Sequence, residues 1–158
     1  MMPMQHPWPE RVTPQIRVLV TGDRRYHRLE PIDGLIRELR RLREDGADAL
    51  VIHGAASGAD TICHNICKQW GVPMHVFPAD WQKLGRAAGP IRNSVMLKDL
   101  LDGPAAAYRT VIAFHDDLPN SKGTRDMCKR GLSAGLDVVV WEFRDGAHRP
   151  RILPKETV

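Results

Sequence analysis

Apolar residues in this chain come in two alternating textures. Short continuous runs, such as Val18-Leu19-Val20 and Val138-Val139-Val140, are separated by longer stretches in which apolar residues recur every three or four positions. The runs are rich in β-branched residues and lack polar alternation, which predicts strands buried on both faces. The stretches with a helical repeat predict amphipathic helices. The pattern gives strands over 16–21, 49–53, 74–77, 110–114 and 138–143. Helices are predicted over 31–44 and 58–70, from Pro90 to about Leu101, and over 122–134. Pro31 suits a first helical turn, and Gly46, Gly71 and Gly135 mark exits. Strands alternating with helices at this spacing predict βαβ units, hence an α/β fold with a mostly parallel sheet of about five strands. Residues 1–15 read as a flexible arm, 16–144 as the domain and 145–158 as a C-terminal tail.

Composition narrows the setting. At 158 residues the chain fits one domain with an ordinary core. No apolar run is long enough to span a bilayer. The first fifteen residues carry four prolines and no apolar core of a signal peptide, so the expected location is the cytoplasm. Three cysteines, Cys63, Cys67 and Cys128, cannot all pair within one chain and suit a reducing compartment. The net charge of +4 fits an anionic ligand, nucleic acid included. The densest basic run, Arg37, Arg40, Arg41 and Arg43, lies opposite the stripe of Ile32, Leu35, Ile36, Leu39 and Leu42. It therefore reads as a solvated helix face rather than a nucleic-acid stripe.

Chemistry concentrates in loops that follow strands, where parallel sheets bind ligands. His53-Gly54-Ala55-Ala56-Ser57-Gly58-Ala59-Asp60 joins a strand to a helix through small residues. Its glycines and the helix N-terminus suggest a phosphate cradle, with Ser57 as N-cap and Asp60 as an acceptor for ribose or base. The spacing matches neither the dinucleotide fingerprint nor the Walker motif. Thr21-Gly22-Asp23-Arg24 offers a sharp turn and a guanidinium fork. Asn120-Ser121-Lys122-Gly123-Thr124 offers a second cradle, followed by Asp126 as acid/base or ribose acceptor. Pro90 as a helix start would put Arg92 and Asn93 in a first turn, where a cation opposes the dipole unless an anion is bound. Trp81 reads as a cover for the core in preference to a stacking platform. Cys63 and Cys67 share the apolar stripe with Ile62, Ile66 and Trp70, so Cys63-His64-x-x-Cys67 reads as packing rather than a metal site. His53 and His115 end strands and read as loop residues. No metal or cofactor is called for, and no nucleophilic triad stands out.

These segments together resemble the YspA-like, cpYpsA-related family of the SLOG superfamily. The matching pieces are Val18-Leu19-Val20-Thr21-Gly22-Asp23-Arg24, the loop from His53 to Asp60, Phe77-Pro78-Ala79-Asp80-Trp81, the stretch from Gly85 to Asn93, and Gly123-Thr124-Arg125-Asp126-Met127. The resemblance implies a Rossmann-like three-layer sandwich that binds a nucleotide or nucleotide-derived ligand, often as an oligomer. Site residues carried by it and by the loops are Gly22, Arg24, Gly54, Ser57, Gly58, Ala59, Asp60, Arg92, Asn93, Ser121, Lys122, Gly123 and Thr124. The superfamily includes lonely-guy phosphoribohydrolases, whose loop carries a catalytic Glu after a GT pair. Here Gly123-Thr124 is followed by Asp126, which with Arg92 forms the candidate catalytic pair of an alternative N-glycosidic hydrolase. A DprA-like single-stranded DNA binder is a third reading.

Overall fold

The computed structural model describes residues 13–155. Most of the expected N-terminal arm lies outside them. The described chain runs β1 (Gln15–Gly22), α1 (Glu30–Glu44), β2 (Asp48–His53), α2 (Ala59–Trp70), β3 (Met74–Val76), α3 (Trp81–Leu84), α4 (Ala88–Leu101), β4 (Tyr108–Phe114), α5 (Gly123–Ser133), β5 (Asp137–Arg144) and β6 (Ala147–Ile152). Short 3-10 turns precede α4 and α5, at Gly85–Ala87 and Leu118–Asn120.

One six-stranded sheet has the order β3-β2-β1-β4-β5-β6. The first five strands are parallel, and β6 pairs antiparallel with β5. Alternate residues of β1 divide the core. Val18 and Val20 pack with Ile32, Ile36 and Leu39 of α1 and with Cys63 and Cys67 of α2. Leu19 packs with Met96 and Leu100 of α4 and with Met127 and Cys128 of α5. Helices thus cover both faces, which explains why the strands read as continuous apolar runs. The result is a Rossmann-like three-layer sandwich with a mostly parallel sheet.

Three local expectations are corrected. The stretch expected as a tail contains β6, an edge strand, so the sheet has six strands. Its burial is shallow, and Pro150 sits where an edge strand tolerates a missing N–H. Helix α4 starts at Ala88, two residues before Pro90. Proline is tolerated there because the first four amides of a helix have no intrahelical acceptor. Arg92 and Asn93 therefore occupy the second turn rather than the first. Trp81 is not a core residue but is 46% exposed at the start of α3. The basic face of α1 does read as expected: Arg37 pairs with Asp33, Arg40 with Glu44, and Arg41 with Glu38 and Asp45.

Candidate functional site

The strand order reverses between β1 and β4, so the loops leaving these neighbours diverge and open a crevice at the C-terminal edge. A cleft of about 990 Å³ lies there. The β1 loop supplies Thr21 to Arg25, the β4 loop supplies His115, Asp117 and Asn120, and the α5 start supplies Ser121 to Thr124 and Asp126. Helix α4 and the segment before it add Arg86, Gly89, Pro90, Arg92 and Asn93, and Trp81 completes the rim.

Close backbone packing sets the first wall. A Cβ on Gly22 would lie 2.5 Å from Ala59 Cβ and 2.6 Å from the Phe114 carbonyl oxygen. Only glycine lets β1 pass between these neighbours. The Asp23 amide donates to Phe114 O at 3.0 Å, and the Ala59 amide donates to Asp23 O at 3.1 Å. Gly58, at φ +74°, abuts the Asp23 and Arg24 backbone where a side chain would collide. Gly58 and fully buried Ala59 thus join the β1 and β2 loops behind the cleft and do not line it.

The Gly54–Asp60 turn differs from the expected open cradle. Asp60 Oδ2 accepts from the Gly54 and Ala56 amides, each at 3.2 Å. The Ala55 amide donates to His53 Nδ1 at 3.0 Å. Three consecutive amides are therefore satisfied by the chain's own side chains. Ser57 makes no capping bond, and Gly58 holds the N-cap position. Gly54 and Ser57 line a smaller cavity of about 270 Å³ beside the main cleft. Asp60 is 5% exposed, and its Oδ1 is buried without a partner. Burial pushes its carboxyl up to about 6, against the pull of the Ala56 and Gly54 amides and of Arg92 and Arg24.

His53 is buried rather than a loop residue. Its Nε2 lies 3.0 Å from His64 Nδ1, and the Ala55 amide on Nδ1 assigns Nε2 as the donor. Burial, then His64 and Arg92, lower its pKa to about 4, so it is neutral near pH 7. His115 repeats the device, accepting the Asp117 amide on Nδ1 at 2.9 Å. His115 lines the cleft.

The α5 side is built differently. Ser121 Oγ, one residue before the N-cap Lys122, accepts from the Thr124 amide at 3.1 Å and so satisfies one free amide of the helix start. Lys122 and Gly123 are exposed, and a Cβ on Gly123 would meet nothing within 4 Å. Asn93 ties α4 to this turn. Its Nδ2 donates to the Gly123 carbonyl at 3.2 Å and to Asp126 Oδ2 at 3.0 Å. Arg130 Nε also donates to Asp126 Oδ2, at 2.9 Å. Arg92 donates from Nε to Asn93 Oδ1 at 3.0 Å and from Nη1 to the Gly54 carbonyl. Burial lowers the Arg92 pKa from its usual value, opposed by Asp60. A Cβ on Gly54 would overlap the Arg92 guanidinium, so this glycine makes room for the arginine.

Charge in the cleft is asymmetric in its partners. Asp23 accepts from the Arg25 amide, Asp117 from Asn120, Asp60 from its own turn, and Asp126 from Asn93 and Arg130. Arg24, Arg25, Arg86, Arg92 and Lys122 form none of the ion pairs among the described residues. Arg24 lies over the Trp81 ring, 5.0 Å from its centroid.

The candidate site residues Gly22, Arg24, Asp60, Arg92, Asn93, Ser121, Lys122, Gly123, Thr124 and Asp126 are brought together by the main cleft. Arg25 and Asp117 join them without having been singled out. The signal for Asp117 is faint: an acid three residues before Asn120, which it fixes through two hydrogen bonds. Cys63 and Cys67 are buried, with sulfurs 4.0 Å apart. Among the described residues no cluster of His, Cys, Asp and Glu is arranged to hold a metal, and no helix is long and apolar enough to cross a membrane.

Comparison with known proteins meets this geometry. The sequence profile of the YspA, cpYpsA-related SLOG family matches residues 16–84, the segment from β1 through α3. The "Gene 61 protein" of Mycobacterium phage D29 is 33% identical over 131 residues, covering 78% of this chain and 94% of that protein. No solved structure matches. With a phage relative aligned along nearly its whole length and a family profile covering the first two βα units, the chain belongs to the YspA, cpYpsA-related SLOG family.

Proposed function

We propose that the cleft binds a nucleotide or nucleotide-derived ligand through its phosphate. The observation that carries this reading is the set of cleft cations without carboxylate partners: Arg24, Arg25, Arg86, Arg92 and Lys122. The exposed arginines of α1, by contrast, are each paired with an acid of the same helix. An anion supplies the missing partner. The α5 N-terminus adds its dipole and its amides, and exposed Gly123 leaves room for close approach. Ser121 and Thr124 flank this anion site, and Arg92 holds the opposite side. Family membership supports a nucleotide over an inorganic anion.

Asp126 as a hydrolytic group is the weaker reading. Its Oδ2 is held by Asn93 and Arg130, an arrangement suited to fixing α4 against α5. The test is thermal unfolding against a panel of nucleotides. A ligand at a hundred times its Kd adds about 2.7 kcal/mol to stability. Lys122→Ala and Arg92→Ala should each weaken the response at least about tenfold, the scale of one charge-assisted hydrogen bond. Unchanged binding in both variants would remove the site from this cleft. Release of free base during the titration would favour the phosphoribohydrolase. Affinity that grows with oligonucleotide length and falls steeply with salt would favour single-stranded DNA.

A further inference from the structure

A smaller cavity adjoins the anion site. It lies between the Gly54–Ser57 turn and the Pro78–Trp81 segment, and its volume is about 270 Å³. Its walls combine the apolar Ala55, Ala56, Pro78, Ala79 and Trp81 with Ser57 and the two guanidinium groups of Arg24 and Arg92. Arg24, Ala56, Trp81 and Arg92 line both this cavity and the main cleft, so the two share a border. One molecule can reach from the α5 N-terminus into the smaller space.

Trp81 is unusual for a tryptophan in that it is 46% exposed. It is nonetheless fixed in place. Asp80 caps its short helix by accepting the Lys83 amide at 3.1 Å. Gly89 of α4 approaches the ring so closely that a Cβ there would lie 3.2 Å from Cη2. A guanidinium, that of Arg24, lies over the ring. Flat groups of this kind compete for an indole face with other flat groups, including aromatic bases. On the wall of the same cavity, Ala55 holds φ +57°, a conformation rare for a residue with a side chain. Such strain gathers where a backbone is held for a purpose other than its own stability.

We propose that this cavity is an aromatic-base subsite, with Trp81 as its stacking platform and Arg24 bridging base and phosphate. The subsite rests on the anion reading of the main cleft and specifies what that ligand carries: a planar heteroaromatic ring joined to its phosphate through a sugar. The half-exposed Trp81 ring, with Ala55, Ala56, Pro78 and Ala79 around the same cavity, can stack a base, while Arg24 and Arg92 on the shared border face the phosphate.

The experiment compares AMP with ribose 5-phosphate by calorimetry on the full chain, since the two differ by the base alone. The wild-type protein should bind AMP at least about tenfold tighter, the range of one base–aromatic stack. In Trp81→Leu the two affinities should converge within about twofold, whatever the change in ribose 5-phosphate binding itself. Trp81→Phe should restore most of the preference. Melting curves without ligand establish that each variant is folded. A Trp81→Leu protein that keeps the full AMP preference would overturn the subsite. So would equal wild-type binding of AMP and ribose 5-phosphate, and that result would leave the anion site standing. If neither molecule binds the wild type, the anion reading falls and takes the subsite with it. An unfolded Trp81→Leu variant moves the decision to Trp81→Phe and Ala79→Phe. The first should keep the preference and the second, by filling the slot, should abolish it; either failing would also overturn the proposal.

Discussion

Two turns of this protein look alike as sequence and differ as structure. Both the Gly54–Asp60 turn and the Asn120–Thr124 turn follow a strand, contain glycine and serine, and open a helix. In the first, a carboxylate from the helix folds back and takes up the amides of Gly54 and Ala56. In the second, no acid takes an amide: Asn120 and Ser121 donate to the carbonyls of Asp117 and Leu118, and Thr124 donates to the Ser121 hydroxyl. The first turn is therefore closed by an anion of the chain's own. The second remains open to one from outside. A glycine-rich turn identifies a place where amides converge, and the acids within reach decide whether a ligand can use them.

The sharpest way to break this contrast is to attack the glycine that closes the first turn against the β1 loop. Gly58→Ala forces a side chain into the Asp23 carbonyl at a positive φ. It should cost on the order of 3 kcal/mol in urea unfolding. A stability equal to wild type would mean that the two loops are not packed as described.

Gly54→Ala acts on the border between the turns. The added methyl meets only the far end of the Arg92 side chain, so the fold should survive with the guanidinium displaced. Anion affinity should fall about tenfold while the melting temperature in the absence of ligand changes little. Loss of folding instead of binding would show that Arg92 has no alternative position.

Asp60→Asn sharpens the contrast through pH. Between pH 3.8 and about 6 the folded protein keeps a proton on Asp60 that the unfolded chain has released. Acidification through that window therefore favours the fold by this group. His53 works in the opposite direction. From pH 6.5 down to about 4 the unfolded chain binds a proton that buried His53 refuses, so acidification there disfavours the fold. The two contributions oppose each other over most of the interval. With Asp60→Asn the opposing half is gone, and the melting temperature should fall more steeply between pH 6.5 and 4 than in the wild type. Parallel pH profiles would count against the buried charge of Asp60.

Gly123→Ala carries the smallest expected effect. The space around Gly123 is open, so stability should stay within about 0.5 kcal/mol of wild type. Phosphate affinity should drop a few-fold because the methyl holds the ligand off the backbone. A neutral result in both measurements would move the anion away from the α5 start.

The alternation of runs and helical repeats carried the architecture. Five parallel strands and the principal helices fall where burial patterns demand them, because a strand covered on both faces cannot hide its composition. What was not legible had physical reasons. Strand β6 reads as a tail because an edge strand need not be apolar, and His148, Arg149 and Arg151 offer no burial signal. The start of α4 is misplaced because proline suits several positions in a first turn. At the site, the convergence of loops follows from topology and was readable. The return of Asp60 onto its own turn was not, since a carboxylate two residues into a helix can face the dipole, a ligand or the preceding loop. Trp81 was misread for a related cause: indole composition suggests burial, and only the three-dimensional neighbours reveal the exposed face.

The uneven pairing of the arginines has a kinetic consequence. Along α1 the positive charges of Arg37, Arg40 and Arg41 are each answered within a turn or so by an acid. The mouth between β1 and β4 gathers five cations that form no ion pair among the described residues, Arg24, Arg25, Arg86, Arg92 and Lys122. Small anions should then be guided to it over a distance comparable with the screening length, and their capture rate should fall as ionic strength rises.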